Sequence, residues 1–189
     1  MKILAFAGAT RTESWNKKLI KIAAAGAKAA GAEVTLIDLR DYPLPLYDGD
    51  LEAKEGLPEN AKKLKALFLE HKGLLISSPE YNSSITGVLK NTLDWVSRST
   101  PGEAALAAYA GKVAGLVSAS TGALGGLRGL VHLRSILGNI KVLVVPEQVS
   151  VSKAQDAFNL DGTLKDEKQR AQVEGVGKAV AALLAKLAL

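Results

Sequence analysis

The stretch from Gly73 to Trp95, GLLISSPEYNSSITGVLKNTLDW, constrains the fold more than any other part of the chain. Gly73 to Ser78 is short and almost wholly apolar. A run of that kind, bounded by turn residues, is the pattern of a strand buried on both faces. It passes into Pro79-Glu80-Tyr81-Asn82, a polar turn carrying an aromatic ring. Ser83 and Ser84 then offer a helix cap, and Ile85, Val88, Leu89, Leu93 and Val96 recur at helical spacing. Strand, rigid turn and helix make up the repeating unit of an open parallel sheet, whose ligands bind outside the carboxyl ends of the strands.

The rest of the chain repeats the unit. Lys2 to Ala7 reads as a strand, Asn16 to Ala30 as an alanine-rich helix stopped by Gly31, and Glu33 to Leu39 as a second strand. That order favours a right-handed parallel crossover. Asp41 to Pro58 is a long loop bearing Pro43, Pro45 and Pro58, with Tyr42, Leu44, Leu46 and Tyr47 between them. Such residues pack on the domain edge or meet another subunit. A helix is expected over Glu59 to Glu70, a strand over Lys112 to Ser118, a helix over Leu127 to Leu137 and a strand over Lys141 to Val145. Pro146 to Gly162 reads as irregular, and Asp166 to Leu187 as a long final helix. With no internal linker or fixed repeat, residues 1–189 are expected to form one α/β domain, five parallel strands between two helical layers.

Composition narrows the chemistry. The chain has no cysteine, which excludes dithiol redox chemistry, thiolate nucleophiles and sulfur-ligated metals, and fits a reducing, cytoplasmic setting. Two histidines, His71 and His132, are too few for most metal sites, so no metal is expected. No apolar run reaches membrane length. The net charge of +5 is spread in singles and pairs among acidic residues, a solvated surface rather than a nucleic-acid footprint. A mild excess of positive charge does attract small anions.

Three loops hold the candidate site. The first, Gly8-Ala9-Thr10-Arg11-Thr12-Glu13-Ser14, leads into a helix N-terminus, where unpaired N–H groups face outward to an anion. Arg11 adds a fork of donors, Ser14 a hydroxyl and Asn16 an amide. The same residues would also serve as a capped helix with a surface arginine. The loop lacks the glycine-lysine-serine/threonine ending of a Walker loop and the three glycines of the dinucleotide fingerprint. In the second loop Pro79 fixes a dihedral, Tyr81 shapes a wall, Asn82 offers donor and acceptor, and Glu80 invites either a general-acid or an anchoring role. In the third, Ser118 to Gly126, glycines let backbone approach a flat ligand, with Ser120 and Thr121 facing its polar edge. Arg128 and His132, four residues apart, share a helix face.

At these residues the chain resembles the NAD(P)H-dependent FMN reductase family, in the branch that includes chromate and quinone reductases. The first loop through Asn16, the PEYN turn, the LKNTLDW that follows and the STGALGG loop all match the family's pattern. The resemblance implies a flavodoxin-like sheet in the order 2-1-3-4-5, noncovalent FMN, NADPH or NADH as donor, and a homodimer or homotetramer. It implies that Arg11, Ser14 and Asn16 hold the flavin phosphate. Pro79, Glu80, Tyr81 and Asn82 would flank the ring, with Ser118, Ser120, Thr121 and Gly122 near its pyrimidine side. In the branch, Arg128 and Glu147 resemble residues of a subunit contact. Ala9 departs from the family's serine, removing one hydroxyl from the phosphate loop, and Val131 stands where the branch can carry tyrosine. The implied reaction passes hydride from the nicotinamide through flavin N5 to a quinone, or to chromate, an azo compound or free flavin, without an essential side-chain acid. The alternative is an FMN-binding electron carrier or regulatory protein that oxidises no nicotinamide. Neither reading involves a nucleic acid or a membrane.

Overall fold

The structure, a computed structural model, describes residues 1–187. Among these, β1 (Lys2–Ala7), β2 (Glu33–Asp38), β3 (Gly73–Ser77), β4 (Val113–Ala119) and β5 (Leu143–Val151) form one parallel sheet. Their order is β2-β1-β3-β4-β5, as the resemblance implied. The helices are α1 (Trp15–Ala29), α2 (Gly49–Glu55), α3 (Glu59–Glu70), α4 (Gly87–Val96), α5 (Leu127–Asn139), α6 (Ala154–Ala157) and α7 (Glu167–Leu187). The sheet is the middle of three layers because its inner strands are apolar on both faces. Ile3, Ala5 and Ala7 of β1 pack toward α1 and α7, while Leu4 and Phe6 pack into the opposite core with residues of α3, α4 and α5. This alternation is the two-residue period of a strand.

The α1 layer is thin because its residues are small. A Cβ on Gly26 would stand 2.0 Å from the carbonyl oxygen of Glu174, and one on Gly177 2.0 Å from that of Ala23. The backbones of α1 and α7 therefore touch where both helices carry glycine. The N-terminal end of α1 is tied to the carboxyl ends of β3 and β4 by Asn16, which bonds to Ser77 and Ala119.

Three expectations need correction. The helix after β3 starts at Gly87, not at Ser83 or Ser84; its cap is Thr86, whose Oγ1 accepts from Leu89 N–H at 3.2 Å. Residues 146–151, expected to be irregular, continue β5. Ala114 pairs with Val144 and Leu116 with Gln148, so Val145, Pro146 and Glu147 bulge opposite Gly115. An edge strand tolerates proline at such a bulge, since the missing N–H interrupts no inner ladder. The loop from Asp41 contains α2, capped by Asp48, whose Oδ1 accepts from Asp50 N–H at 2.8 Å. This helix has no buried residue, so no apolar period announced it. The loop before it is tied to its own domain: Pro45 O accepts from Asn91 Nδ2 and Trp95 Nε1, each at 2.8 Å. No helix of the described residues is long and apolar enough to cross a membrane.

Candidate active site

The three loops converge. Ala9, Arg11 and Ser14 with Trp15 and Asn16, then Pro79, Glu80 and Tyr81, then Ala119, Ser120 and Thr121 line one cavity of about 170 Å³ at the carboxyl end of the sheet. It opens where the strand order reverses between β1 and β3, the switch point of a doubly wound sheet. A wider crevice of about 490 Å³ lies on the other side of the first loop, between α1 and the end of β2. Lys17 and Asp38 there are 2.6 Å apart and satisfy each other. The smaller cavity is the one that Arg11 and all three loops line, and it too holds unmatched donors.

Those donors are in the first loop. Among the described residues, no backbone N–H from Ala9 to Asn16 donates to a protein acceptor. Ser14 is nearly buried and is the N-cap residue of α1, yet its hydroxyl makes no capping bond. Arg11 is exposed and has no hydrogen-bond or ion-pair partner among the described residues. An array of amides at a helix N-terminus, joined by an unpaired guanidinium, is complementary to a multiply charged anion. The loop is nonetheless held firmly from below. Gly8 N–H donates to Ser77 O at 2.9 Å, and Thr86 Oγ1, which caps α4, donates to Gly8 O at 2.7 Å. Gly8 has no room for a side chain, since a Cβ would lie 2.9 Å from the Cβ of Leu89.

The second loop closes on itself. Tyr81 and Ser84 exchange backbone bonds at 2.9 and 3.1 Å around Asn82 and Ser83, both left-handed at φ of 50° and 67°. This is a two-residue reverse turn of the kind used in hairpins. Helix α5 braces it. Glu80 Oε2 accepts from Gly129 N–H at 2.9 Å, Arg128 Nη1 reaches Ser83 Oγ at 3.4 Å, and His132 Nδ1 lies 2.9 Å from Ser84 Oγ. Arg128 and His132 do share a helix face, and it is turned to this loop. Glu80 supplies the cap that Gly126, the N-cap residue of α5, lacks.

Several residues expected in the site do other work. Asn82, Ser118 and Gly122 lie outside the cavity lining. Ser118 is fully buried, and its hydroxyl donates to Ser78 O at 2.7 Å beneath the third loop. Gly122 organises that loop, its N–H donating to Ser120 Oγ at 3.2 Å and its carbonyl accepting from Lys153 N–H. Asn16 lines the cavity, but its side chain turns inward to Ala119 and Ser77. Sequence reasoning passed over Trp15, which also lines the cavity and stacks on Phe158 with ring centroids 5.3 Å apart. Its place directly after Ser14 was the available signal, since α1 starts one residue earlier than expected.

A family model described as NADPH-dependent FMN reductase matches residues 1–156. The chain belongs to the NADPH-dependent FMN reductase family. It is 36% identical over 176 residues to an NAD(P)H-dependent FMN reductase of Pseudomonas aeruginosa, covering 92% of this chain and 90% of that one. It is 33% identical to an NAD(P)H:quinone oxidoreductase of Solanum tuberosum, covering 99% and 94% of the two chains. Among solved structures, a flavoenzyme NAD(P)H:(acceptor) oxidoreductase from Paracoccus denitrificans superposes with a TM-score of 0.82 at 26% identity, covering 98% and 97% of the two chains. This member of the FMN reductase family is thus an FMN-containing oxidoreductase supplied by a reduced nicotinamide. Its site fits that cofactor: the orphaned amides from Ala9 to Asn16 and the unpaired Arg11 suit a phosphate, while Pro79 and Tyr81 on one side and Ala119, Ser120 and Thr121 on the other leave room for a flat ring.

Proposed function

We propose that the protein seats FMN in the three-loop cavity and uses it to reduce quinones, with chromate, azo compounds and free flavin as further acceptors, at the expense of NADPH or NADH. The observation that carries this reading is the convergence of three strand-end loops on a cavity whose first wall is a row of amides without acceptors. Arg11, Ser14 and the loop amides hold the phosphate. Pro79 to Asn82 and Ser120 to Gly122 flank the ring, with Asn82 and Gly122 acting through the shape they give their loops. Bound flavin supplies hydride-transfer chemistry between a reduced nicotinamide and the oxidant. The chain's part is to orient that ring, to leave one face open for nicotinamide and oxidant in turn, and to place backbone donors along its edge. The open face agrees with Tyr81 at the rim, which is 60% exposed. A homodimer or homotetramer is part of the same reading, supported by Leu127 and Val131, exposed one turn apart on α5 beside the site.

Steady-state turnover tests it. Flavin-loaded protein is expected to oxidise NADPH or NADH much faster with a quinone present than with no added acceptor. Protein with bound flavin that oxidises neither donor with any quinone overturns the proposal.

The bond from Gly129 N–H to Glu80 makes that carboxylate an anchor. Glutamine at this position keeps an oxygen to accept the bond, so Glu80→Gln is expected to lower kcat less than about tenfold. General acid–base catalysis contributes about 10²–10⁴-fold. A loss of about 100-fold or more with flavin still bound would assign Glu80 a proton-transfer role.

A further inference from the structure

We propose that Asn16 is a positioning residue for the flavin, one that sets the spacing of all three loops, and not a ligand of the phosphate. The inference rests on the flavin reading above. Asn16 is the second residue of α1 and is only 3% exposed. Its Nδ2 donates to Ala119 O at 2.8 Å, while its Oδ1 accepts from Ala119 N–H at 3.0 Å and from Ser77 Oγ at 2.8 Å. Ala119 ends β4 and is followed by Ser120 and Thr121; Ser77 ends β3, two residues before Pro79. One side chain therefore bonds to the base of each ring-flanking loop from the first turn of the helix whose amides face the phosphate.

The chemistry requires an amide. Ala119 presents a donor and an acceptor together, and only a group carrying both answers both. Aspartate would set a negative oxygen against Ala119 O, and leucine would leave three buried polar groups unpaired. The bonds reach 61 and 103 residues along the chain, so they fix relations that no local preference can. Flavin affinity depends on those relations. Phosphate and ring are parts of one molecule, and loops that drift apart cannot engage both at once.

A phosphate ligand and a positioning residue separate on riboflavin, which has the ring and lacks the phosphate. Asn16→Ala is expected to weaken FMN and riboflavin by the same factor, about tenfold or more, when titrated well below the melting temperature. Ser77→Ala removes a single bond to Oδ1 and is expected to weaken both about threefold, with no further loss when added to Asn16→Ala. A lower melting temperature with both affinities unchanged would leave Asn16 a purely structural tie and overturn the proposal. A loss for FMN several times that for riboflavin would restore the phosphate role and overturn it equally. Should Asn16→Ala fail to fold, Ser77→Ala alone decides, since unchanged affinity for both flavins overturns the inference. Wild-type protein that binds neither flavin overturns the flavin reading itself.

Discussion

Arg11→Ala is expected to weaken FMN by about 10- to 100-fold while changing riboflavin affinity less than about threefold. The guanidinium reaches no protein partner among the described residues, so removing it takes nothing from the apo fold. On the proposed reading, what it removes is a charge-assisted contact to the phosphate, an interaction of about 1.5–3 kcal/mol, and each 1.4 kcal/mol is roughly tenfold in affinity. Lys17 and Arg40 also touch the first loop and both are engaged: Lys17 Nζ, 3.5 Å from Thr10 O, is held by Asp38 at 2.6 Å, and Arg40 Nη1 donates to Thr12 Oγ1. The contact is exposed, so the difference between variant and wild type should narrow as ionic strength rises. Titration with each flavin at low and high salt reads both effects. Equal losses for FMN and riboflavin would remove Arg11 from the phosphate.

Arg11 and Asn16 mark where the sequence was legible and where it was not. Arg11 stands in an exposed loop before a helix, a position that suits an anion ligand or a plain surface arginine, and the structure leaves it without a partner among the described residues. Asn16 has the same local credentials and a different task, because its partners are Ser77 and Ala119. A spacing motif read along the chain cannot distinguish the two. Ser118 was misplaced for a similar reason: at the end of a fully buried strand its hydroxyl has to find an acceptor, and Ser78 O is at hand. The inner strands β1, β3 and β4 were legible because burial on both faces leaves continuous apolar runs, and β1 has the expected bounds. Order across the sheet came from the resemblance, since apolar runs carry no information about neighbours. The failures at Ser83 and Pro146 share a cause: each local signal was real, but tertiary context decided, α5 for the Ser83 turn and the free edge of the sheet for Pro146. Helix α2 failed differently, since with no buried residue it has no apolar period to read.

Gly126→Ala is expected to destabilise the protein by about 2–6 kcal/mol and to abolish tight binding of both flavins. Two penalties add. Gly126 has a φ of 90°, where a side chain costs about 1–3 kcal/mol. A Cβ there would also stand 1.9 Å from Ser118 Oγ and 3.0 Å from Ser118 Cβ, an overlap of the kind that costs about 1–3 kcal/mol when the surroundings give way. The surroundings are the site. If the third loop lifts, α5 moves with it, and Glu80 loses its bond to Gly129 N–H. If Ser118 yields instead, its bond to Ser78 O, which joins the bases of the second and third loops, breaks. Either route changes the ring-flanking walls and leaves the phosphate loop untouched, so FMN and riboflavin should suffer together, the reverse of the Arg11 result. Urea unfolding of the apo protein reads the first effect and flavin titration the second. Adding Ser118→Ala removes the hydroxyl from the tightest contact while the φ penalty stays, so the double variant should regain part of the stability. Wild-type stability and flavin affinity in Gly126→Ala would mean that the third loop is not held against Ser118, and the wall of the cavity would have to be drawn elsewhere.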